Sequence, residues 1–272
     1  MKGKKKLLLT FICLILAIIF LFPILILLFN SLKPIKEIYQ SVLALPKTFS
    51  LDNYIDAFRE LDYFTSIRNS FIVTGGVTAA NVLFCSMAAW VLVRYQTKTS
   101  QVIFGMFSVA VLVPFQCVML PLLKLMGNLH MVNMPGLMVV NLGFSTSMSI
   151  ILFHGFIKNV PLELEEAAAI DGASLTRIFF TIVMPLIKGI SATVAILNAI
   201  MLWNDFLLPS LVINKAGWQT LPLKTYLFFG TYMKKWNLGS AALVMAIIPV
   251  IIFYIFCQKY IIKGVTEGAI KG

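Results

Sequence analysis

The chain has 272 residues, of which 60% are hydrophobic and only 12% are charged. A soluble domain carries roughly 25% charged residues, so a mean hydropathy of +0.92 excludes soluble, disordered, collagen-like and disulfide-scaffold chains. The net charge of +11 comes from basic residues that flank apolar runs, with no aromatic-plus-basic patch; it marks anchoring to membrane lipid rather than nucleic-acid binding.

Six stretches are long and apolar enough to span a bilayer as helices: Leu7–Phe29, Ser70–Val93, Val102–Leu123, Leu137–Ile157, Gly189–Leu208 and Leu238–Cys257. Each approaches the roughly 20 residues a bilayer requires. The first follows a basic start, Lys2 to Lys6, but is longer than a signal-peptide core and has no small-x-small cleavage site after it, so it reads as a retained helix. Cys13, Cys85, Cys117 and Cys257 fall in or at the edge of apolar runs without a CxxC pair, which fits buried, inert thiols and supports neither a disulfide framework nor a zinc site.

Lys and Arg placement sets the expected orientation. With the N-terminus in the cytoplasm, the inside segments 1–6, 94–101, 158–188 and 258–272 hold 12 basic residues in 60 positions, against 10 in 82 for the outside segments. Both termini are then cytoplasmic. The outside segment 30–69 is too long for a tight turn, and Ser50 or Asp52 could cap a short amphipathic helix through Phe58.

A catalytic set is missing. There is no HExxH, no phosphate loop and no second intramembrane acid beside Asp205, and His130 and His154 are the two histidines. His154 reads as a bundle-facing hydrogen-bonder and His130 as a solvated loop residue. No catalytic or metal site is expected. The spans do contain Asn81, Gln116, Asn141, Ser145, Thr146, Ser147, Ser149 and Asn198. Polar groups are costly in lipid, so they face other helices or line a solute path. Asn141, Ser145, Asn198 and Asn204 are the pathway candidates. The run from Trp203 to Pro209 suits either an interfacial anchor with a capped Asp205 or a pathway wall. Gly75, Gly76, Ala79, Ala80, Ser86, Ala88 and Ala89 permit close helix packing. Pro23, Pro114, Pro185 and Pro249 can kink the spans.

Segment 158–188 differs from every other loop. Asn159 or Val160 can cap a helix with Pro161 at its first position. Glu163, Glu165 and Glu166 then favour the positive end of its dipole. Ala167, Ala168 and Ala169 give strong helix propensity. Gly172 fits a left-handed terminator, and Ser174 can cap a second helix limited by Pro185. Two short helices meeting at a glycine, with little alanine bulk, an acidic rim of Glu163, Glu165, Glu166 and Asp171 and the basic Arg177, describe either a docking knob for a soluble partner or a solvated amphipathic loop.

Glu166-Ala167-Ala168, three residues, Gly172, nine residues, Ile182-Val183-Met184-Pro185 resembles the EAA loop of ATP-binding-cassette (ABC) importer permeases, whose pattern is EAA-x3-G-x9-I-x-L-P. Met184 replaces the Leu, a conservative apolar change. The resemblance covers nearly the whole chain. Phe22-Pro23, Asn30-Ser31-Leu32-Lys33-Pro34, Ala169 to Ala173, Trp203-Asn204-Asp205-Phe206 and the tail Gly264 to Gly272 are similar to the maltose-transporter-like, six-helix carbohydrate permeases.

That resemblance implies an all-α integral membrane protein with the type I ABC importer permease fold and cytoplasmic EAA coupling helices. Residues 1–272 would form a single permease domain with 158–188 as its coupling loop. It implies a bacterial or archaeal plasma (inner) membrane location, a second permease subunit, two ABC ATPase subunits and an extracytoplasmic solute-binding protein. No cofactor is expected on this chain, because ATP and Mg are used by the partner ATPase. Glu163, Glu166, Ala167, Ala168, Asp171, Gly172, Arg177 and Pro185 would couple to the ATPase. Gly268–Gly272 is a second candidate contact, and Lys234-Lys235-Trp236 either touches the binding protein or anchors at the interface. The solute expected from the resemblance is a sugar or oligosaccharide, with a non-sugar solute as the alternative.

Overall fold

The computed structural model describes residues 2–230 and 235–269, with side chains over 6–230 and 235–258. The described residues form helices and no strand. In chain order they are α1 (Lys2–Ser31), α2 (Ile35–Gln40), α3 (Asp52–Glu60), α4 (Tyr63–Arg94), α5 (Lys98–Ala110), α6 (Phe115–Asn128), α7 (Met134–Ile157), α8 (Glu163–Ile170), α9 (Leu175–Ile178), a π turn over Phe179–Val183, α10 (Met184–Leu186), α11 (Lys188–Asn204), α12 (Leu207–Val212), α13 (Leu221–Leu227) and α14 (Trp236–Ala269).

Four helices are long and apolar enough to cross a membrane, and up to six spans result if each of two bent pairs counts as one. The third expected span, Val102–Leu123, is broken at Pro114, one of the expected kink positions: α5 and α6 meet at 106°. Pro114 stands at the N-cap of α6 with extended backbone (φ −69°, ψ 143°); its ring supplies no N–H to continue α5 and disfavours helical geometry in the residue before it. The fifth span is also bent, by 79°, between Leu175–Leu186 and Lys188–Asn204. It ends at Asn204 rather than Leu208, because Asp205 is extended and its carboxylate accepts from the N–H groups of Leu207 (3.1 Å) and Leu208 (3.4 Å), opening α12. Asp205 is thus a capped acid.

The chain divides into two compact units, Met1–Ser66 with Leu221–Ile251, and Ile67–Thr220 with Ile252–Gly272. In the first, α1 is apolar all round from Leu7 to Phe29 and its residues 6–25 are exposed; bilayer hydrocarbon is the solvent such a surface requires. Below α1 the chain is tied by a polar knot. Lys33 is 1% exposed, and its Nζ donates to Asn30 Oδ1 (3.0 Å) and to the carbonyls of Ser41 and Val42 (both 3.2 Å). Asn53 Nδ2 donates to the carbonyls of Ser31 and Lys33 (both 2.9 Å) and Asn53 Oδ1 accepts from Asn237 Nδ2 (2.7 Å). Burial pulls the Lys33 ammonium below its ordinary pKa, with Glu37 opposing. The expected helix is α3, but neither Ser50 nor Asp52 caps it. Ser50 N–H is drawn to Leu32 O (2.8 Å), Leu51 stands at the N-cap without a side-chain bond, and Asp52 lies inside the first turn.

The second unit holds a hydrophobic core. It packs Ala89, Trp90 and Val93 of α4 and Phe153 and Ile157 of α7 against Val160, Ile178, Phe179, Val183 and Ile187. Segment 158–188 is therefore built into the unit on its inner side. Of the four thiols, Cys85 is buried, whereas Cys13 and Cys117 are exposed and Cys257 is half-buried; the expectation of buried thiols fails at Cys13 and Cys117, which sit on apolar faces left uncovered among the described residues.

Candidate functional site

Segment 158–188 folds as two short helices about a glycine, with a later start than expected. Asn159 Nδ2 turns back to Gly155 O (3.1 Å) and Val160 O accepts from Arg94 (2.9 Å). Both residues are engaged elsewhere, so neither caps a helix, Pro161 is not helical, and α8 begins at Glu163 with Leu162 as N-cap. At its other end Gly172 has φ +79°. Ala173 N–H donates to Ala168 O and Gly172 N–H to Ala169 O, both at 3.0 Å. This pair of bonds is the Schellman termination, which needs a left-handed residue that glycine adopts without strain. Ser174 Oγ accepts from Arg177 N–H (3.3 Å) and caps α9. The helix continues through the π turn, and Pro185 lies one residue before its end.

Glu163, Glu166, Ala167, Asp171, Gly172, Arg177 and Pro185 are exposed and Ala168 is half-buried. Apolar side chains join them at the surface, with Ile170 87% and Leu175 58% exposed. Glu165 behaves differently from its neighbours. It is buried, its Oε1 accepts from Arg94 Nη2 (2.7 Å) and Nε (3.0 Å), and its Oε2 accepts from Trp90 Nε1 (2.8 Å). Removing one partner from a buried pair of this kind costs about 3–5 kcal/mol. The sequence reading grouped Glu165 with the acidic rim and gave Arg94 and Trp90 no role. Their i, i+4 spacing at the end of an apolar span was the available signal.

A cavity of about 450 Å³ opens in the same unit, lined by Gln116, Asn141, Ser145, Ser149, Asn198 and Asp205 with Phe115 and Phe144. Asn141, Ser145 and Ser149 recur every fourth residue, so α7 presents them on one face. Behind the wall, Asn81 Nδ2 donates to Ser145 Oγ (2.9 Å), and Asn198 Nδ2 lies 3.1 Å from Asn81 Oδ1 and 3.0 Å from Ser149 Oγ and Val194 O. Three helices, α4, α7 and α11, are thus joined by side-chain amides and hydroxyls. Ser145, Ser149 and Asn198 thus bond between helices and also line the cavity, while Asn141 lines it and Asn81 bonds behind it. Of the pathway candidates, Asn141, Ser145 and Asn198 converge here. Asn204 does not; its amide donates to Ile200 O (2.8 Å) on its own helix. Asp205 takes a place on the wall instead.

His154 is buried but stacks on Phe104, with centroids 3.8 Å apart, rather than hydrogen-bonding across the bundle. A second cavity of about 230 Å³ lies beside it, with Gln96, Gln101 and Lys158 in its wall. His130 is exposed at φ +55° in the turn before α7. Gly76 permits a close approach, since a Cβ there would stand 2.6 Å from the Met138 methyl. Lys235 Nζ pairs with Glu60 Oε1 at 2.6 Å on an exposed surface; Lys234 and residues 270–272 of the tail lie outside the described residues.

Residues 81–267 match the family model described as binding-protein-dependent transport system inner membrane component. The chain is 42% identical over 267 residues to the probable starch degradation products transport system permease protein AmyC of Thermoanaerobacterium thermosulfurigenes, covering 98% of this chain and 97% of that one. It is 34% identical over 273 residues to the melibiose/raffinose/stachyose import permease protein MelC of Bacillus subtilis, covering 100% and 99%. Its fold matches a chain of a bacterial ABC transporter involved in the import of the acidic polysaccharide alginate, with a TM-score of 0.79, 23% identity and coverage of 95% and 96%.

Proposed function

Because this chain belongs to the binding-protein-dependent transport system inner membrane components, we propose that it is the permease subunit of an ATP-driven importer for a sugar or oligosaccharide. The observation that carries the solute class is the cavity of about 450 Å³. Its volume suits a small polar ligand. Its amides and hydroxyls can exchange hydrogen bonds with a polyol, and the rings of Phe115 and Phe144 offer apolar faces. The names of the relatives AmyC and MelC agree with this class.

In this reading the whole chain acts as one permease domain and forms half of a pathway completed by a second permease subunit. Both termini face the cytoplasm, and an extracytoplasmic solute-binding protein delivers the solute. Two ABC ATPase subunits hold ATP and Mg and perform the hydrolysis; this chain has no enzymatic step. Glu163, Glu166, Ala167, Ala168, Asp171, Gly172, Arg177 and Pro185 form the surface that meets the ATPase, with the exposed Ile170 and Leu175 as apolar anchors. Closure of the ATPase dimer on ATP moves this surface, opens the cavity outward to receive solute, and hydrolysis resets it. ATP hydrolysis supplies the free energy, and differential contact of the ATP-bound and nucleotide-free ATPase with this segment is what couples it to the permease equilibrium.

Uptake by proteoliposomes holding the full complex and its binding protein tests the reading. The expected result is accumulation of labelled maltotriose or raffinose that requires ATP and is abolished without the binding protein. Accumulation driven by an ion gradient without ATP contradicts it.

A further inference from the structure

We propose that Glu165, Arg94 and Trp90 are positioning residues that make helix α4 move with the coupling segment, so that a push on α8 reaches the cavity wall through α4. The proposal rests on the importer reading above. Covalently, segment 158–188 joins α7 to α11. Its polar anchorage is elsewhere, on a helix 71 residues away in the chain.

The geometry has the features of a joint. Trp90 and Arg94 are one helical turn apart on α4, so their side chains leave from one face. Arg94 grips the segment at two points, Val160 O at 2.9 Å and Glu165 Oε1 at 2.7 Å. Trp90 grips it at two more, Glu165 Oε2 at 2.8 Å through its N–H and Phe179 through its ring at 5.5 Å. The chain before α8, α8 itself and the π turn are thereby held by two residues of α4. Both carboxylate oxygens of Glu165 are used, and the pair is largely withdrawn from water, with side-chain exposures of 14% and 7%. Solvent does not compete for such bonds as it does at a surface pair. Glu163 and Glu166, on the same helix, are exposed, so the acids of α8 divide into two that face outward and one that faces α4.

The far end of the path is also on the page. Asn81 precedes Trp90 on α4 by nine residues, about 13 Å of helix rise, with neither proline nor glycine between them. Asn81 holds Ser145 and Asn198, which line the cavity. A continuous helix therefore runs from the buried carboxylate to the wall that meets solute.

The test compares wild type with Glu165→Gln, Arg94→Gln, their double variant and Trp90→Phe in the reconstituted complex. Three quantities are read: the amount of assembled complex, ATP hydrolysis per complex, and maltotriose taken up per ATP. The joint predicts that either Gln variant keeps hydrolysis within about twofold but lowers uptake per ATP by about tenfold or more, and that the double variant is no worse than the worse single, because both remove one interaction. Trp90→Phe keeps the ring against Phe179 and loses only the indole N–H; it predicts a smaller fall in the same ratio and serves if the Gln variants do not assemble. A ratio unchanged from wild type in Trp90→Phe and in the assembled Gln variants overturns the joint and leaves the importer reading standing. Multiplying losses in the double variant also overturn it. Absence of ATP-dependent uptake by wild type overturns the importer reading, and the joint with it.

Discussion

Asn198 and Asn81 are 117 residues apart in the chain, yet the amide of one donates to the carbonyl oxygen of the other at 3.1 Å. The contact closes a chain of side chains that also holds Ser145 and Ser149. These side chains are buried in the bundle, where an unpaired polar group is costly, so each needs its partner. Asn198→Ala leaves Asn81 Oδ1 and Ser149 Oγ without this donor and is expected to destabilise the subunit by about 1–2 kcal/mol. Asn204→Ala, which removes only a bond to its own helix, is expected to cost less than half as much. Thermal unfolding of the two variants in detergent checks the ordering; equal losses would contradict the network.

Gly172 ends α8 at φ +79°, and a Cβ there meets nothing within 4 Å. Space is therefore not the constraint; backbone strain is. Gly172→Val is expected to cost about 1–2 kcal/mol for the left-handed conformation. Gly172→Asp is better tolerated in that conformation but adds a charge to the proposed docking face. It should insert in the membrane normally and lose coupled uptake. Normal uptake by Gly172→Asp would count against the docking role.

The start of α7 is fixed by Asn133 and Gly136. Asn133 Oδ1 accepts from Gly136 N–H at 2.8 Å, and a Cβ on Gly136 would stand 1.8 Å from Met131 O. Asn133→Ala is expected to cost about 1 kcal/mol, as lost caps do. Gly136→Ala requires the backbone of 131–136 to move and should be the more damaging change. Protease sensitivity of the 129–133 loop, compared between the two variants, reads the difference.

Glu37 clamps the loop that follows α2. Its carboxylate accepts from Thr48 Oγ1 and from the N–H groups of Lys47 (3.0 Å) and Thr48 (3.2 Å). The Thr48 hydroxyl first, and then the Lys47 amide, hold its carboxyl below the ordinary value of 4.5. A depressed carboxyl pKa means the folded loop binds the proton less tightly than the unfolded one. The clamp is thus complete above pH 4.5 and is lost as pH falls through the lower folded value. Protection of the Lys47 and Thr48 amides from hydrogen exchange, corrected for intrinsic rates, should fall over that acid range in wild type and be flat and low in Glu37→Gln.

The spans were legible because lipid leaves its mark on composition directly: Leu7–Phe29 and Leu238–Cys257 lie inside α1 and α14. The break between α5 and α6 was only half legible. Pro114 marked the place, but the 106° angle depends on packing that hydropathy does not encode. Gly172 was legible because one backbone conformation selects one residue type. Glu165 was not, because three glutamates in four positions differ only in which one meets Arg94, and that is decided by a helix 71 residues away. Asn204 shared its composition signal with Asn198, but six residues on it leaves α11 about 240° round from Asn198, away from the face of Val194, Asn198 and Met201 that lines the cavity.

Affinity purification of this chain from its native membrane in mild detergent, with mass spectrometry of what accompanies it, tests the central claim most directly. An importer subunit predicts stoichiometric recovery of a second permease chain and an ABC ATPase. Recovery of this chain alone, under conditions that keep a known membrane complex intact, would contradict it.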